Sequence, residues 1–498
     1  MSENGEPRLA VSFIVRPVRL EPDACYRATR ARNARFDGRF FVGITSTKIY
    51  CRPVCSARPA RREHQRYFAS AAAAERSGFR PCLLCRPELA PGLALIDASR
   101  QLARAAASLI DDGLANEGGL GAVARRLGVT DRHLRRVFEA EYGVTPVDYA
   151  QTARLLLAKR LLTDTRMPVT EVALAAGFGS VRRFNTLFAA RYRLQPTALR
   201  RSAPRAERVD AHRFVLATRA PFDYARLLGF FAARALDGVE EVEGRRLRRS
   251  LAVPDAGGQP VSGWIEVRPS PRGAGIEVRI DARLAPALPR VLAACKHAFD
   301  LDCQPDAVAA SLGELAAPRP GLRLPGSFDG FETAVRTILG QQVTVKAART
   351  LAGRLVQAFG APLATPFAGV TRLFPDAARI AACAAGDIAR LGIVAARARA
   401  IVALAAAVRE GRLVLAPNVD VERTIAALQE LPGIGAWTAQ AIAMRALHWP
   451  DAFPAGDIGI AQALRERRPA QLARIAEPWR PWRAYAAMHL WSSLEAKS

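Results

Sequence analysis

The spacing of hydrophobic residues predicts helices over most of the chain, and two successive segments, 123–146 and 172–196, carry the same pattern. In each segment, apolar residues at helical spacing lead to a glycine where the chain can reverse, then to a capping residue and a second helix. The glycines and caps are Gly128 with Thr130 and Gly177 with Ser180. One such unit could be a plain helical hairpin, but the duplication favours two helix-turn-helix units, with Gly179 as a one-residue insertion in the second.

The second helix of each unit carries polar side chains that can reach base edges and phosphates of DNA. These side chains are Asp131, Arg132, His133, Arg135 and Arg136 in the first copy and Arg182, Arg183 and Asn185 in the second. The segment 149–162 is predicted to be the helix that joins the two units. We therefore expect an all-α DNA-binding domain over residues 97–203.

The pattern changes after a polar, proline-containing stretch at 201–208, which is typical of a linker. Short alternating runs separated by Pro and Gly at 212–280 predict an antiparallel sheet, with one helix near 224–236. From about residue 288 onward, Ala- and Leu-rich helical periodicity dominates. We expect a β-rich subdomain at 211–288 followed by a helical domain at 289–498.

The chain has 498 residues and a formal net charge of +26, from 72 Lys and Arg against 46 Asp and Glu. A polyanion such as DNA explains this excess better than chemistry on small acidic molecules. The length suggests about three domains, and a hydrophobic content of 50% is enough for each to bury a core. No apolar run approaches the ~18 to 20 residues of a membrane span, and the N-terminus does not resemble a signal peptide. We expect a cytoplasmic, nucleoid-associated bacterial protein with no membrane partner.

Four of the eight cysteines form two closely spaced pairs, Cys51 with Cys55 and Cys82 with Cys85, separated by 26 residues. Each pair can supply one edge of a tetrahedral Zn(II) site. A zinc ion that only holds a small domain together is the more common explanation of such spacing by itself. We expect one zinc ion in a small domain at 21–92.

The residues around these cysteines closely resemble the N-terminal domain of the Ada methylation-response proteins. The resemblance rests on DGRFFVG at 37–43, YCRPVC at 50–55 and GFRPCLLC at 78–85. It implies that Cys51 is both a zinc ligand and the nucleophile that takes a methyl group irreversibly from a DNA methylphosphotriester. Zinc would keep the thiolate deprotonated, and alkylation would relieve the excess negative charge of four thiolates, which makes a switch for DNA binding. Nearby arginines are expected to meet the phosphate backbone, namely Arg52, Arg58, Arg61 and Arg62.

The two helix-turn-helix units with their linking helix resemble the AraC family of transcription factors across the whole domain. The resemblance rests on the repeated segments, including VALAAGF at 172–178. It implies two recognition helices in successive major grooves and sequence-specific promoter binding. Double-stranded DNA and the transcription machinery are the partners that it implies.

Within the helical domain, LPGIGAWTA at 431–439 predicts a turn between helices that exposes backbone N–H groups to an anion such as a DNA phosphate. Gly433 and Gly435 let the backbone approach without a Cβ in the way. Asp457 follows 22 residues after Gly435. Hairpin and aspartate resemble the helix-hairpin-helix DNA glycosylases, and residues 211–495 resemble AlkA, the 3-methyladenine glycosylase. The closer resemblance also rests on TILGQQV at 337–343, WRPWRAY at 479–485 and Trp491.

The AlkA resemblance implies that Asp457 offsets oxocarbenium charge as the glycosidic bond of a flipped-out base breaks, and helps to place the water. An alkylated purine is already cationic, so Trp437 and Trp491 would hold it by stacking. Core packing is the alternative for both rings. Relatives that also nick the backbone carry a lysine at the position of Trp437, and no Lys lies between Lys346 and Lys497. We therefore expect a monofunctional enzyme that leaves an abasic site.

Two positions depart from the AlkA pattern. Gln342, which we expect to contact DNA, stands where AlkA has an apolar wedge residue, and Ala441 stands where it has a pocket tyrosine. Of the other cysteines, Cys25 is interpreted as a buried thiol. Cys295, Cys303 and Cys383 lie in no Pro-Cys-His-Arg segment, so the O6-methylguanine methyltransferase half of Ada is expected to be absent.

The sequence thus predicts a multidomain α+β protein: a small Zn(Cys)4 domain, a double helix-turn-helix domain, and a glycosylase built from a β subdomain and a helix-hairpin-helix domain. The function implied is a transcriptional activator switched by methylphosphotriesters and joined to a DNA-3-methyladenine glycosylase II. The alternative is an alkylation-responsive regulator whose glycosylase-like half only binds DNA.

Overall fold

The computed structural model describes residues 21–32, 36–89, 101–165, 167–201, 211–271, 273 and 275–495. Most of the predicted linker at 201–208 lies outside these residues, as do the N-terminal segment 1–20 and Lys497. Within the described ranges, none of the helices has the length and hydropathy needed to span a membrane. The multidomain α+β architecture predicted from the sequence is confirmed.

The N-terminal domain is a small four-stranded sheet with two helices. Its elements are α1 (Pro22–Arg30), β1 (Phe41–Ile44), β2 (Ile49–Cys51), β3 (Gln65–Phe68), α2 (Ala71–Arg76) and β4 (Arg80–Pro81). The strand order is β3-β1-β2-β4, antiparallel except for the short parallel pair of β2 and β4. Two separate small apolar clusters form its interior, one around Phe40 and one around Tyr50. Cores of this size need support from a metal ion or a neighbouring domain.

A helical domain occupies the described residues from 101 to 201. Its elements are α3 (Gln101–Asp111), α4 (Leu114–Arg126), α5 (Asp131–Tyr142), α6 (Pro146–Asp164), α7 (Val169–Ala175), α8 (Val181–Tyr192) and α9 (Pro196–Arg201). Helices α4 and α5 form the first repeat, α7 and α8 form the second, and α6 joins them over a longer range than the predicted 149–162. Thr130 and Ser180 are the N-caps of α5 and α8, as predicted, and accept hydrogen bonds from the backbone N–H three residues later.

The second helix of each repeat buries one face and exposes the other. Leu134 and Phe138 are fully buried on α5, as are Phe184 and Phe188 on α8, one turn apart in each pair. The predicted DNA-contacting arginines lie on the exposed faces; they are Arg132, Arg135, Arg136, Arg182 and Arg183. The pattern of apolar residues therefore orients the arginines toward solvent.

A five-stranded antiparallel sheet follows, in the order β5-β9-β8-β7-β6. Its strands are β5 (Ala211–Ala217), β6 (Glu240–Glu243), β7 (Arg246–Pro254), β8 (Pro260–Pro269) and β9 (Gly275–Asp281). The helix expected near 224–236 is α10 (Tyr224–Ala232). One apolar cluster contains both Phe214 of β5 and Phe188 of α8, so the sheet and the second repeat share a core.

The rest of the chain is helical, as expected from about residue 288. Its helices are α11 (Leu288–Ala298), α12 (Pro305–Leu312), α13 (Gly330–Leu339), α14 (Val345–Phe359), α15 (Ala377–Ala381), α16 (Ala385–Ala389), α17 (Ala395–Arg409), α18 (Val421–Gln429), α19 (Ala436–Arg445), α20 (Ile458–Leu464), α21 (Pro469–Ala476) and α22 (Arg483–Glu495). A single large apolar cluster runs through α12–α22, whereas α11 packs in the cluster that the sheet shares with the second repeat.

A network of four charged residues, three of them buried, joins the sheet to the helical domain. Arg249 donates to Glu240 at 3.2 Å and to Glu332 at 2.6 Å, and Arg336 donates to the same two carboxylates at 2.8 Å each. The side chains of Arg249, Glu240 and Glu332 are no more than 4% exposed. Removing one partner from such a network leaves a buried charge without compensation.

We expect Arg249→Met to lower the free energy of unfolding by about 3–5 kcal/mol, because Glu240 and Glu332 would then share one guanidinium. Urea denaturation followed by tryptophan fluorescence measures this locally, since all six tryptophans lie at or beyond position 264. The matched control is Arg412→Met, which breaks an exposed ion pair with Glu410 and should cost less than about 1 kcal/mol. Equal effects of the two substitutions would contradict a structural role for the buried network.

Candidate functional site

The four clustered cysteines meet at one edge of the N-terminal sheet. Cys51 ends β2, Cys55 lies in the turn after it, and Cys82 and Cys85 follow β4. The β2–β4 pairing closes the site, because the Cys82 N–H donates to the Tyr50 carbonyl at 3.0 Å. The four sulfur atoms lie within 4.8 Å of one another, and the described part of the chain holds no other comparable cluster of potential metal ligands. Four thiolates in this arrangement fit one tetrahedral Zn(II).

Arg52 lies against the cysteine cluster instead of facing solvent. Its Nε donates to Asp37 at 2.9 Å, its Nη1 donates to the Cys85 carbonyl at 3.2 Å, and its backbone N–H donates to the Cys85 sulfur at 3.3 Å. The side chain is 12% exposed. The expectation that Arg52 meets the DNA backbone is therefore wrong, since its guanidinium is held by a buried carboxylate. Arg58 and Arg61 are exposed, as that expectation requires.

Cys25 stands apart from the four clustered cysteines. It is 5% exposed and packs with Ala28, Phe40 and Val42. Burial raises the pKa of the Cys25 thiol to about 11, and the charge of Glu21 adds to the rise. A protonated buried thiol is a poor nucleophile, which agrees with the prediction of a buried thiol.

A second site centres on Asp457, the N-cap of α20. Its Oδ1 accepts from the Ile460 N–H at 3.1 Å and from the Trp491 indole at 2.8 Å, while Oδ2 accepts from the Trp437 indole at 3.1 Å. Three donors on three elements thus fix the plane of the carboxylate. Both indole rings are half-buried, so part of each ring remains accessible beside the carboxylate.

Gly459 is a residue of this site that sequence reasoning missed. A Cβ at this position would lie 2.9 Å from Cδ1 of Trp491 and 3.2 Å from Oδ1 of Asp457. Only glycine therefore lets the Trp491 indole reach the carboxylate. The sequence nevertheless carries a signal for Gly459. Glycine is unfavourable in helices, yet this one lies two residues after Asp457 in a segment that forms a short helix.

The predicted hairpin lies between α18 and α19. Gly433 has a φ of +78°, and a Cβ there would approach Ala400 to 3.3 Å. Gly435 is the N-cap of α19, so the first N–H groups of this helix have no side-chain cap. Helix N-termini of this kind bind phosphate.

Gln341 ties the loop after α13 to this hairpin, a contact that the sequence did not reveal. Its side-chain amide donates to the Gly433 carbonyl at 2.9 Å and to Thr438 Oγ1 at 2.8 Å. The next residue, Gln342, is exposed and has a φ of +53°, a strained conformation for a residue with a Cβ. The structure therefore brings Gln341 to the hairpin at Gly433 and leaves the following residue, Gln342, exposed.

Four protein families match consecutive parts of the chain. They are the metal-binding domain of Ada at 24–88, a helix-turn-helix domain at 123–202, the AlkA N-terminal domain at 213–329, and the HhH-GPD superfamily of base excision DNA repair proteins at 335–471. Because the metal-binding family coincides with the four clustered cysteines, the cofactor is one zinc ion.

Three relatives cover different extents of the chain. The "Probable bifunctional transcriptional activator/DNA repair enzyme AlkA" of Mycobacterium tuberculosis is 38% identical over 95% of this chain and 96% of its own. The "DNA-3-methyladenine glycosylase 2" of Escherichia coli is 39% identical over 56% of this chain and 96% of its own. The "Regulatory protein ada" of Salmonella typhimurium is 32% identical over 32% of this chain and 43% of its own.

We expect Gly459→Ala to displace the Trp491 indole and break its hydrogen bond to Asp457, because the new methyl group would overlap Cδ1. The indole N–H resonance of Trp491, assigned with Trp491→Phe, reports this bond in an NMR spectrum of the ¹⁵N-labelled protein. Gly353→Ala is the control, since a Cβ at that helical position meets nothing within 4 Å. An unmoved Trp491 resonance in Gly459→Ala would contradict the assigned role of Gly459.

Proposed function

The chain belongs to the family of the bifunctional transcriptional activator/DNA repair enzyme AlkA, and from that premise we propose that it is an alkylation-responsive activator and a DNA glycosylase in one polypeptide. The observation that carries the enzymatic part is the carboxylate of Asp457, fixed by the indoles of Trp437 and Trp491. A protein that only bound DNA would not need a carboxylate held between two indole N–H groups. The alternative of a regulator with an inactive glycosylase half is therefore not favoured.

In the glycosylase reaction, an alkylated base of the 3-methyladenine type leaves the helix and enters the site beside Asp457. The bond between the sugar C1′ and the base nitrogen breaks, and the base departs neutral because it began as a cation. Water then adds to C1′ and loses one proton to the solvent, which leaves a hydroxyl on the abasic sugar. The Asp457 carboxylate offsets the positive charge of the sugar in the transition state. Its fixed plane spares the reorganisation that a mobile carboxylate would need.

The half-buried rings of Trp437 and Trp491 supply aromatic surface for a cationic base. Because Trp437 occupies the position of the lysine in relatives that nick the backbone, and no Lys lies between Lys346 and Lys497, this chain has no amine for a Schiff base there. The product is an abasic site on an intact strand. Ala441 leaves the pocket without the tyrosine of the AlkA pattern.

The glycosylase binds DNA through the hairpin N–H groups at Gly433 and Gly435 and through Gln342. The exposed, uncapped start of α19 suits a phosphate oxygen. We infer that Gln342, which follows the hairpin-bound Gln341 in the chain, enters the space that a flipped base leaves. A polar side chain there can also hydrogen-bond to an exposed base edge.

In the sensor, Cys51 takes the methyl group of a DNA methylphosphotriester. The Cys51 sulfur forms a bond to the methyl carbon while the bond from that carbon to the phosphate oxygen breaks, which leaves a thioether and a phosphodiester anion. Cys51, Cys55, Cys82 and Cys85 would hold the zinc ion, whose positive charge would keep the attacking Cys51 sulfur deprotonated. Methylation removes one negative charge from a surface that carries the exposed Arg58 and Arg61, which favours DNA binding.

The helix-turn-helix pair reads promoter DNA through α5 and α8. Their exposed arginines are Arg132, Arg135 and Arg136 on α5, and Arg182 and Arg183 on α8. Arg135 pairs with Asp131 one turn away, which fixes its direction before DNA arrives. The transcription machinery is the further partner of an activator bound in this way.

We expect Asp457→Asn to lower the rate of 3-methyladenine release from methylated duplex DNA by at least about a hundredfold, because the neutral amide cannot offset oxocarbenium charge. The matched control is Asp376→Asn, since Asp376 is also a helix N-cap and asparagine caps helices equally well. Negligible base release by the wild type, or full base release by Asp457→Asn, would contradict the proposed glycosylase activity.

We expect Cys51→Ala to abolish transfer of radiolabelled methyl groups from DNA methylphosphotriesters to the protein, because it removes the sulfur that the Ada resemblance identifies as the methyl acceptor. Scintillation counting of the precipitated protein measures the transfer. Cys25→Ala should accept methyl groups like the wild type, since that thiol is buried and protonated. Undiminished transfer to Cys51→Ala would place the nucleophile elsewhere.

A further inference from the structure

The loop after α13 is fixed to two other parts of the glycosylase through one residue, Gln341. Its side-chain amide donates to the Gly433 carbonyl at 2.9 Å and to Thr438 Oγ1 at 2.8 Å, which binds it to the hairpin and to α19. Its backbone carbonyl accepts a hydrogen bond from the guanidinium of Arg397, in the first turn of α17. The side chain and the backbone of Gln341 are therefore held by different elements.

The start of α17 also packs against the hairpin. A Cβ at Gly433 would lie 3.3 Å from Cβ of Ala400 and 3.7 Å from the carbonyl oxygen of Ala396. Arg397 lies between these two alanines in the chain and is half-buried. In the part of the protein that the structure describes, its guanidinium pairs with no carboxylate, so the Gln341 carbonyl is the acceptor that orients it.

Gln342 has a backbone conformation that its neighbours must hold. Its φ is +53°, in the left-handed region that residues with a Cβ rarely adopt. Such conformations persist where the surrounding structure fixes them. The dihedral φ of Gln342 is measured from the carbonyl carbon of Gln341, so the hydrogen bond from Arg397 fixes the peptide plane from which Gln342 turns. Arg397 therefore acts on the conformation of Gln342 through one peptide group.

Exposed apolar side chains begin both helices that adjoin this turn. Val345, the first residue of α14, is 44% exposed, and Val394, the N-cap of α17, is 60% exposed. Side chains that proteins insert between base pairs are typically apolar, because they take the place of a stacked base. The exposed Gln342 thus lies in a chain segment whose apolar neighbours suit contact with bases of an opened duplex.

We propose that Arg397 is a positioning residue for base flipping, which holds the peptide before Gln342 and so aims the Gln342 side chain into the space that the alkylated base leaves. This inference rests on the proposed glycosylase function. Arg397 acts here through Gln342 and touches neither the base nor Asp457. In the competing account, Arg397 binds a DNA phosphate with its own charge.

The test is a double-mutant cycle on the release of 3-methyladenine from methylated duplex DNA, with the full-length protein in excess over the DNA. We expect Arg397→Met to slow base release about tenfold, because a misplaced group loses the geometry that was set before reaction. Gln342→Ala should slow release by a similar factor. The double variant should match Gln342→Ala within about twofold, because a residue that acts only through Gln342 then has nothing left to position.

Arg399→Met is the matched control, since it removes the same charge from an exposed position two residues further along α17 and should release base at the wild-type rate. Arg397→Lys keeps the charge but not the fork of N–H donors. It replaces Arg397→Met in the cycle if urea denaturation shows that Arg397→Met does not fold. Affinity for undamaged duplex DNA, and its salt dependence, should be those of the wild type in Arg397→Met, because the proposed role includes no phosphate contact.

Losses that multiply in the double variant would overturn the inference, since Arg397 would then act independently of Gln342. A weaker salt dependence in Arg397→Met would also overturn it and identify a phosphate contact. Wild-type release by Arg397→Met or Gln342→Ala, or an equal loss in Arg399→Met, would count against it in the same way. If the wild type itself releases no base, the proposed glycosylase function fails, and this result is distinguished from the others before any variant is compared.

Discussion

The crowding of four cysteine sulfur atoms within 4.8 Å is the constraint on which the N-terminal half of the molecule depends. Thiolates at this distance repel one another and require a cation, and the two small apolar clusters around them cannot hold the domain by burial alone. A zinc ion held by the four cysteines would hold the ends of β2 and β4 together. The pairing of these strands places Arg86 and Glu88 where they bind α6, and it places Tyr50 where it donates to Glu75.

The glycosylase half is organised around the carboxylate of Asp457, which is stabilised by hydrogen bonds. Asp457 is held by N–H donors from α20 and two tryptophans, with no cation among its partners. In the reaction that we propose, no ion pair therefore competes with the sugar for this carboxylate. Among the described residues, none contacts both Cys51 and Asp457, the two groups to which we assign reactivity. We therefore infer that one polypeptide can use its sensor once and still excise many damaged bases.

Local features were predictable from the sequence and longer-range contacts were not. The caps Thr130 and Ser180, the cysteine pairs and the repeat depend on neighbours within a few residues, and the structure has them as expected. The family resemblance singled out Asp457, Trp437 and Trp491, but periodicity could not show that both indoles donate to the carboxylate. These two hydrogen bonds join Asp457 to residues 20 and 34 positions away in the chain.

The residues whose roles the sequence did not reveal all have interaction partners elsewhere in the chain. Arg52 follows the nucleophile and was expected to face DNA, yet it pairs with Asp37, fifteen positions earlier. Gln341 and Gly459 matter because of partners that only tertiary packing supplies. Gln341 contacts the hairpin 92 positions away, and Gly459 lies against Trp491, 32 positions away. A glycine in a helix marks such a position, but the sequence does not identify its partner.

We infer that one chain carries a single-use sensor and a catalytic repair site that work independently. Both reactions can be followed in one tube, with DNA that bears methylphosphotriesters and 3-methyladenine, by peptide mass spectrometry and chromatography of the released base. The account predicts that methyl uptake stops at one group per chain, on Cys51, while base release continues over many turnovers. Base release that ends when Cys51 is methylated, or methyl groups spread over other cysteines, would contradict it.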